Sequence, residues 1–194
     1  MFLKKYRHRF ARLKGLRIGG KCQISQSAAG SLDLDAADKA ASLSICDAFH
    51  IPDLNAVDVP WFLQGRKPSM RNYPSRRKAL YAYAEATVPI NVILRKAFGG
   101  AYVAMNSKGL GADFVYAWPA AEIDVMGKTF ADEIVHPASR EVETEPSVLK
   151  AAQAGLIDDI FMPAETRERL IRSFDLLRRK EEDRPLKKHG NMPL

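Results

Sequence analysis

Short apolar runs alternate along this chain with segments whose apolar residues recur at helical spacing, and that alternation sets the predicted elements. Residues 16–25 read as a short strand. Gly30-Ser31 with Asp33 and Asp35 then supply turn and cap chemistry for a helix over 36–49, with Ala37, Ala41, Ile45 and Ala48 near one face. His50-Ile51-Pro52 ends that helix, and residues 54–59 form the next strand before Pro60. Gly65, Pro68 and Pro74 make 64–76 a loop. A helix over 77–86 follows, striped by Ala79, Leu80, Tyr83 and Ala84, and Val88-Pro89 breaks it into the apolar run 88–94.

Beyond that run the pattern predicts a helix over 102–108, strands at 114–117 and 121–125 separated by Trp118-Pro119, and a turn at Met126-Gly127. Residues 135–146 are polar and irregular. A short helix over 147–154 ends at Gly155, and 157–161 is a last strand. From residue 164 to about 182 the chain reads as a long amphipathic helix, with Leu170, Ile171, Phe174 and Leu177 on one side and i,i+4 pairs such as Glu168–Arg172 on the other. Helices alternating with short apolar strands predict an α/β fold.

The segment joining the run 88–94 to the next helix is Arg95-Lys96-Ala97-Phe98-Gly99-Gly100-Ala101-Tyr102. A helix start leaves amides without intrahelical acceptors and carries partial positive charge, and glycines lack the Cβ that would keep an anion away. Backbone donors aimed at a developing oxyanion can support carbonyl chemistry with no reactive side chain. A glycine pair at a strand-to-helix corner more often serves only a tight turn, and composition alone leaves both readings standing.

The formal charge of +7 changes little once its distribution is seen. Eight basic side chains lie in residues 1–21 with no acid, leaving 22 of the 30 basic residues against all 23 acidic ones. The remainder is near neutral, with no zinc-finger spacing and no RNP-like motif, so no specific nucleic-acid partner is expected. The basic start reads as an arm over residues 1–16, either a solvated tail or a mitochondrial targeting segment; the tail is preferred. A cytoplasmic location is therefore expected, with the mitochondrial matrix as the alternative. No stretch approaches the roughly 18 apolar residues of a membrane span. Cys22 and Cys46 lack disulfide or Cys-x-x-Cys spacing, and His8, His50, His136 and His189 are scattered, so no metal site is expected.

Five stretches in a fixed order carry a family likeness: 30–35 leading to 46–52; Val57-Asp58-Val59-Pro60 with Phe62-Leu63; 80–89; 92–127; and 154–194, with Glu165-Thr166-Arg167 and the terminal Lys187-Lys188-His189-Gly190-Asn191-Met192-Pro193-Leu194. From about Arg17 onward the chain resembles the C-terminal half of the carboxyltransferase (beta) subunit of biotin-dependent acyl-CoA carboxylases, the propionyl-CoA carboxylase beta chain group. That resemblance implies a crotonase-like (ClpP/crotonase) spiral of ββα units with a long C-terminal helix, occupying residues 17–194 after the arm. It further implies a carboxyltransferase moving a carboxyl group from carboxybiotin to a short acyl-CoA such as propionyl-CoA or acetyl-CoA, this half receiving biotin carried on a partner. In the family, backbone amides hold the ureido oxygen of the biotin enolate, and these correspond to Gly100 and Ala101. Phe98, Gly99 and Tyr102 would shape the biotin pocket, and Val103, where short-acyl members often carry Asp, would face the acyl group. The implied partners are a biotin carboxyl carrier protein or biotinylated alpha subunit, the acyl-CoA, and a chain supplying the acyl-CoA-binding half in a homo- or hetero-oligomer.

The chain departs from the family pattern in several places. Trp61 stands where glycine is usual, residues 70–77 replace a glycine-rich approach, and the segment after Gly127 is shortened. The strand after Pro89 is one residue short, and an uncompensated slip would turn its apolar residues outward. These departures support an alternative: a catalytically inactive or degenerate subunit that assembles with a complete carboxyltransferase.

Overall fold

The computed structural model describes residues 6–23, 31, 34–41, 43–60, 72–124 and 146–183. The expectations for 61–71, for the Met126-Gly127 turn and for the irregular stretch to 145 lie outside them. Strand β1 (Tyr6–Leu13) pairs antiparallel with β2 (Leu16–Gln23). Lys14 and Gly15 join them with φ of 48° and 85°, the two left-handed residues that match the twist of a tight hairpin. The expected basic arm is thus in large part the edge strand of the sheet. A basic run also suits an edge strand, where Lys and Arg discourage further pairing, and Arg7, Arg9 and Arg12 are exposed.

From β2 inward the sheet is parallel, in the order β2, β3 (Asp53–Val59), β4 (Pro89–Phe98), β5 (Phe114–Ala117) and β7 (Asp159–Ile160), with β6 (Glu122–Asp124) taking over from β5 along the second half of β4. One face is covered by α1 (Leu34–Ala41), α2 (Leu43–Ala48), α3 (Asn72–Ala84), α4 (Gly99–Ala104) and α5 (Ser147–Gln153), whose Ala40, Cys46, Tyr83, Tyr102 and Val148 pack with Val57, Ile93 and Val115. The other face receives α6 (Thr166–Leu176), with Leu170 and Phe174 on Ile90, Val92 and Tyr116. Successive residues of β4 therefore enter opposite cores. That explains why its start is a continuous apolar run: Pro89 to Ile93 are buried on both sides, as central parallel strands are. Among the described residues no helix is long and apolar enough to cross a membrane.

Several boundaries moved. The helix expected over 36–49 corresponds to α1 and α2, on either side of residue 42, which lies outside the described residues, and Ala48 is exposed rather than on the apolar face. Helix α3 begins at Asn72, because Pro74 is tolerated in a first turn where its missing N–H has no acceptor to lose. Its buried stripe is Ala79, Ala82 and Tyr83, while Ala84 faces solvent. The long C-terminal helix is shorter than expected, a 3-10 turn at Pro163–Glu165 followed by α6, and the chain then turns so that Lys180 Nζ reaches Asp113 Oδ1 at 2.7 Å. Tertiary pairing overrode the helical preference of 178–182. Tyr116 and Ser173 hydroxyls meet at 2.7 Å and hold α6 to the sheet.

The apolar residues of β4 are not turned outward by a slip. Val57 pairs with Ile93 and Val59 with Ala97, so Asp58 alone stands opposite Leu94, Arg95 and Lys96, a bulge in which β4 carries the extra residues.

A charge pair lies inside the first layer. Lys21 Nζ is 3.3 and 3.4 Å from the two carboxylate oxygens of Asp53 and 5.1 Å from the centre of the Tyr83 ring, with both charged side chains essentially sealed from water. Burial pushes the Asp53 carboxyl up to about 6 against the pull of Lys21, and pushes Lys21 down. Cys46 Sγ sits 3.7 Å from His8 Nε2 beside this pair, and its thiol is raised, chiefly by burial. Among the described residues no group of three His, Cys, Asp or Glu could hold a metal.

Candidate functional site

Ligands of parallel α/β sheets collect at the carboxyl ends of the strands, where backbone leaves the sheet. There β4 ends at Phe98, extended at φ −111° and ψ 133°, and α4 starts without a break. The helix expected at 102 thus begins at Gly99, whose φ of 53° makes the corner and requires glycine. Among the described residues no side chain caps α4, and no acidic residue occupies its first turn, where a helix has amides without intrahelical acceptors. Gly100 needs neither a left-handed conformation nor internal clearance: a Cβ built on it meets nothing within 4 Å, and the residue is exposed. The fold itself does not demand glycine at 100.

The structure brings Phe98, Gly99, Gly100, Ala101, Tyr102 and Val103 together at this corner on two faces. Gly100 and Val103, the latter 48% accessible, face out one helical turn apart. Phe98, Ala101 and Tyr102 turn inward. Tyr102 belongs to the main core, and burial, reinforced by the Asp158 carboxylate, pushes its hydroxyl up to about 12, so it stays a neutral phenol at any physiological pH. It packs with the core residues beneath α4.

Three asparagines anchor the other end of α4. Asn55 of β3 and Asn91 of β4 stand side by side in register, and their side-chain amides donate to the Met105 carbonyl at 2.7 and 3.0 Å. Asn91 also donates to the carbonyl of Asn106, which turns the chain at φ 66°. All three are buried. Sequence reasoning missed them, although Asn55 and Asn91 each interrupt an apolar strand, and a buried amide in such a place must find partners. A groove of about 510 Å³ among Ile51, Pro52, Thr87, Val88 and the turn after α6 lies at the amino ends of β3 and β4, away from α4.

Residues 9–192 match the model of the carboxyl transferase domain family. The chain is 47% identical over 204 residues to a putative propionyl-CoA carboxylase beta chain of Bacillus subtilis, the match covering 95% of this chain and 40% of that protein. It is 44% identical, with the same coverage, to the methylmalonyl-CoA decarboxylase alpha subunit of Propionigenium modestum. A solved transcarboxylase 12S hexamer structure with methylmalonyl-coenzyme A bound superposes with a TM-score of 0.89 at 40% identity, covering 96% of this chain and 39% of that one. The chain spans about two fifths of the length of these relatives.

Proposed function

Because the chain belongs to the carboxyl transferase domain family and has its crotonase-like α/β fold, we propose that it forms the biotin-side half of a site that carboxylates a short acyl-CoA, propionyl-CoA or acetyl-CoA. The carrying observation is the uncapped start of α4, with an exposed Gly100 that the fold does not require. Biotin, borne on a carrier protein or biotinylated subunit, supplies the carboxyl group. The amides of Gly100 and Ala101 bind the oxygen on which negative charge develops, and the positive end of the short helix favours that charge. Gly99 sets the direction of the corner, with Phe98 and Tyr102 holding it from below. Val103, one turn from Gly100 on the open face, contacts the acyl-CoA side. No side-chain base of this chain is needed. The facing wall comes from an acyl-CoA-binding half.

The test combines the purified chain with that half and a carboxylated biotin carrier, and follows carboxylation of propionyl-CoA. Turnover that falls by about two to three orders of magnitude in Gly100→Pro, which deletes one donor, supports the assignment. A folded, assembled complex without turnover points instead to a structural subunit, and full activity in Gly100→Pro refutes the role of the amides.

A further inference from the structure

The bulge in β4 lies just before the glycine corner, and something must hold it. Where Asp58 stands alone opposite three residues of β4, the ladder can no longer satisfy the backbone of the longer strand. The Asp58 side chain replaces the missing acceptor. Its Oδ1 accepts the Lys96 N–H at 3.2 Å and Arg95 Nε at 3.3 Å, and its Oδ2 accepts Arg95 Nη2 at 3.1 Å. The carboxylate is 9% accessible, whereas the arginine is half-exposed, so the pair reaches from the sheet to the surface. Lys96 is also the residue at which β4 begins pairing with β6, a ladder that continues through Ala97 and Phe98 and delivers the chain to Gly99.

We propose that Asp58 is a positioning residue: by fixing the phase of the bulge at Lys96, it sets the orientation in which the Gly100 and Ala101 amides leave the sheet. Side chains and amides alternate across a strand, so a one-residue migration of the bulge would send Phe98 outward and rotate the corner that follows. This links two sequence motifs that are 37 residues apart, Val57-Asp58-Val59-Pro60 and Arg95-Lys96-Ala97-Phe98-Gly99-Gly100, through one carboxylate. The inference rests on the reading of Gly100 and Ala101 as oxyanion donors, but its structural half stands independently.

Two measurements separate the halves. In the full chain, hydrogen exchange of peptides covering 95–101 should accelerate about tenfold or more in Asp58→Ala, with β5 and α6 unchanged, and less in Asp58→Asn, which keeps an oxygen acceptor for Lys96 N–H but loses the charge facing Arg95. In the assembled enzyme, kcat should fall about 10- to 100-fold in Asp58→Ala with KM for acyl-CoA within about twofold, and Asp58→Asn should recover part of the loss. If Asp58→Ala does not fold, Asp58→Asn and Arg95→Met carry the exchange test, each expected to loosen 95–101 alone. Unchanged exchange there in every folded variant overturns the proposal. Altered exchange with unaltered kcat also overturns the positioning role, whereas a parent complex that is inactive with the exchange effect intact faults only the functional reading.

Discussion

Removing one member of the buried Lys21–Asp53 pair should cost far more than removing both. With Lys21 Nζ 3.3 Å from Asp53 Oδ1 and neither side chain in contact with solvent, Asp53→Asn leaves an ammonium without its anion in a site that water cannot reach. Breaking such a pair costs about 3–5 kcal/mol, a large part of the stability of a domain this size. Replacing both by apolar groups of similar volume, Lys21→Met with Asp53→Leu, removes the desolvation cost together with the attraction and should leave stability within about 1 kcal/mol of the parent. Urea unfolding of the parent, Lys21→Met, Asp53→Leu and the double variant at pH 7, followed by tryptophan fluorescence, gives a coupling energy expected to exceed about 2 kcal/mol. The acid side offers a second readout. A carboxyl held at about 6 rather than 3.8 binds its proton more tightly when folded, so its contribution to stability is full below pH 3.8 and is lost as the pH rises through about 6. The slope between those values should vanish in Asp53→Asn. Additive single costs below about 1 kcal/mol, with the slope retained, would refute the buried pair.

Gly99→Ala, forced to φ 53°, should lose about 1–2 kcal/mol of stability in thermal unfolding, whereas Gly100→Ala, with open space before its Cβ, should stay within about 0.5 kcal/mol while its transfer activity falls. Val103→Asp, on the exposed face of α4, should leave the melting temperature unchanged and shift the ratio of kcat/KM between acetyl-CoA and longer acyl-CoAs; an unchanged ratio removes Val103 from the acyl side. Asn91→Leu strips donors from the Met105 and Asn106 carbonyls and should cost about 1–3 kcal/mol by urea titration. It should also speed amide exchange at 99–106.

Much of the α/β layout was legible in the chain because the signals are local. The apolar run from Val88 to Leu94, the glycine pair after Phe98 and the stripe around Leu170 and Phe174 declare a buried strand, a corner and a one-sided helix from their own spacing. The ordered motifs added the family, and with it the biotin-side reading of Gly100 and Ala101. What stayed hidden depends on partners distant in sequence. A run of arginines reads alike as a tail or as a sheet edge until β2 pairs with it, and the spacing around Asp58 does not show that its carboxylate meets the Lys96 N–H at a bulge in β4 until the two strands are paired. Asn55, Asn91, Lys21 and Asp53 are polar residues in apolar surroundings, and spacing cannot say whether such groups are exposed or paired. Local periodicity decides which face of an element is apolar; only the packed sheet decides which buried polar groups meet, because hydrogen bonds and ion pairs act over a few ångströms between residues that the sequence places tens of positions apart.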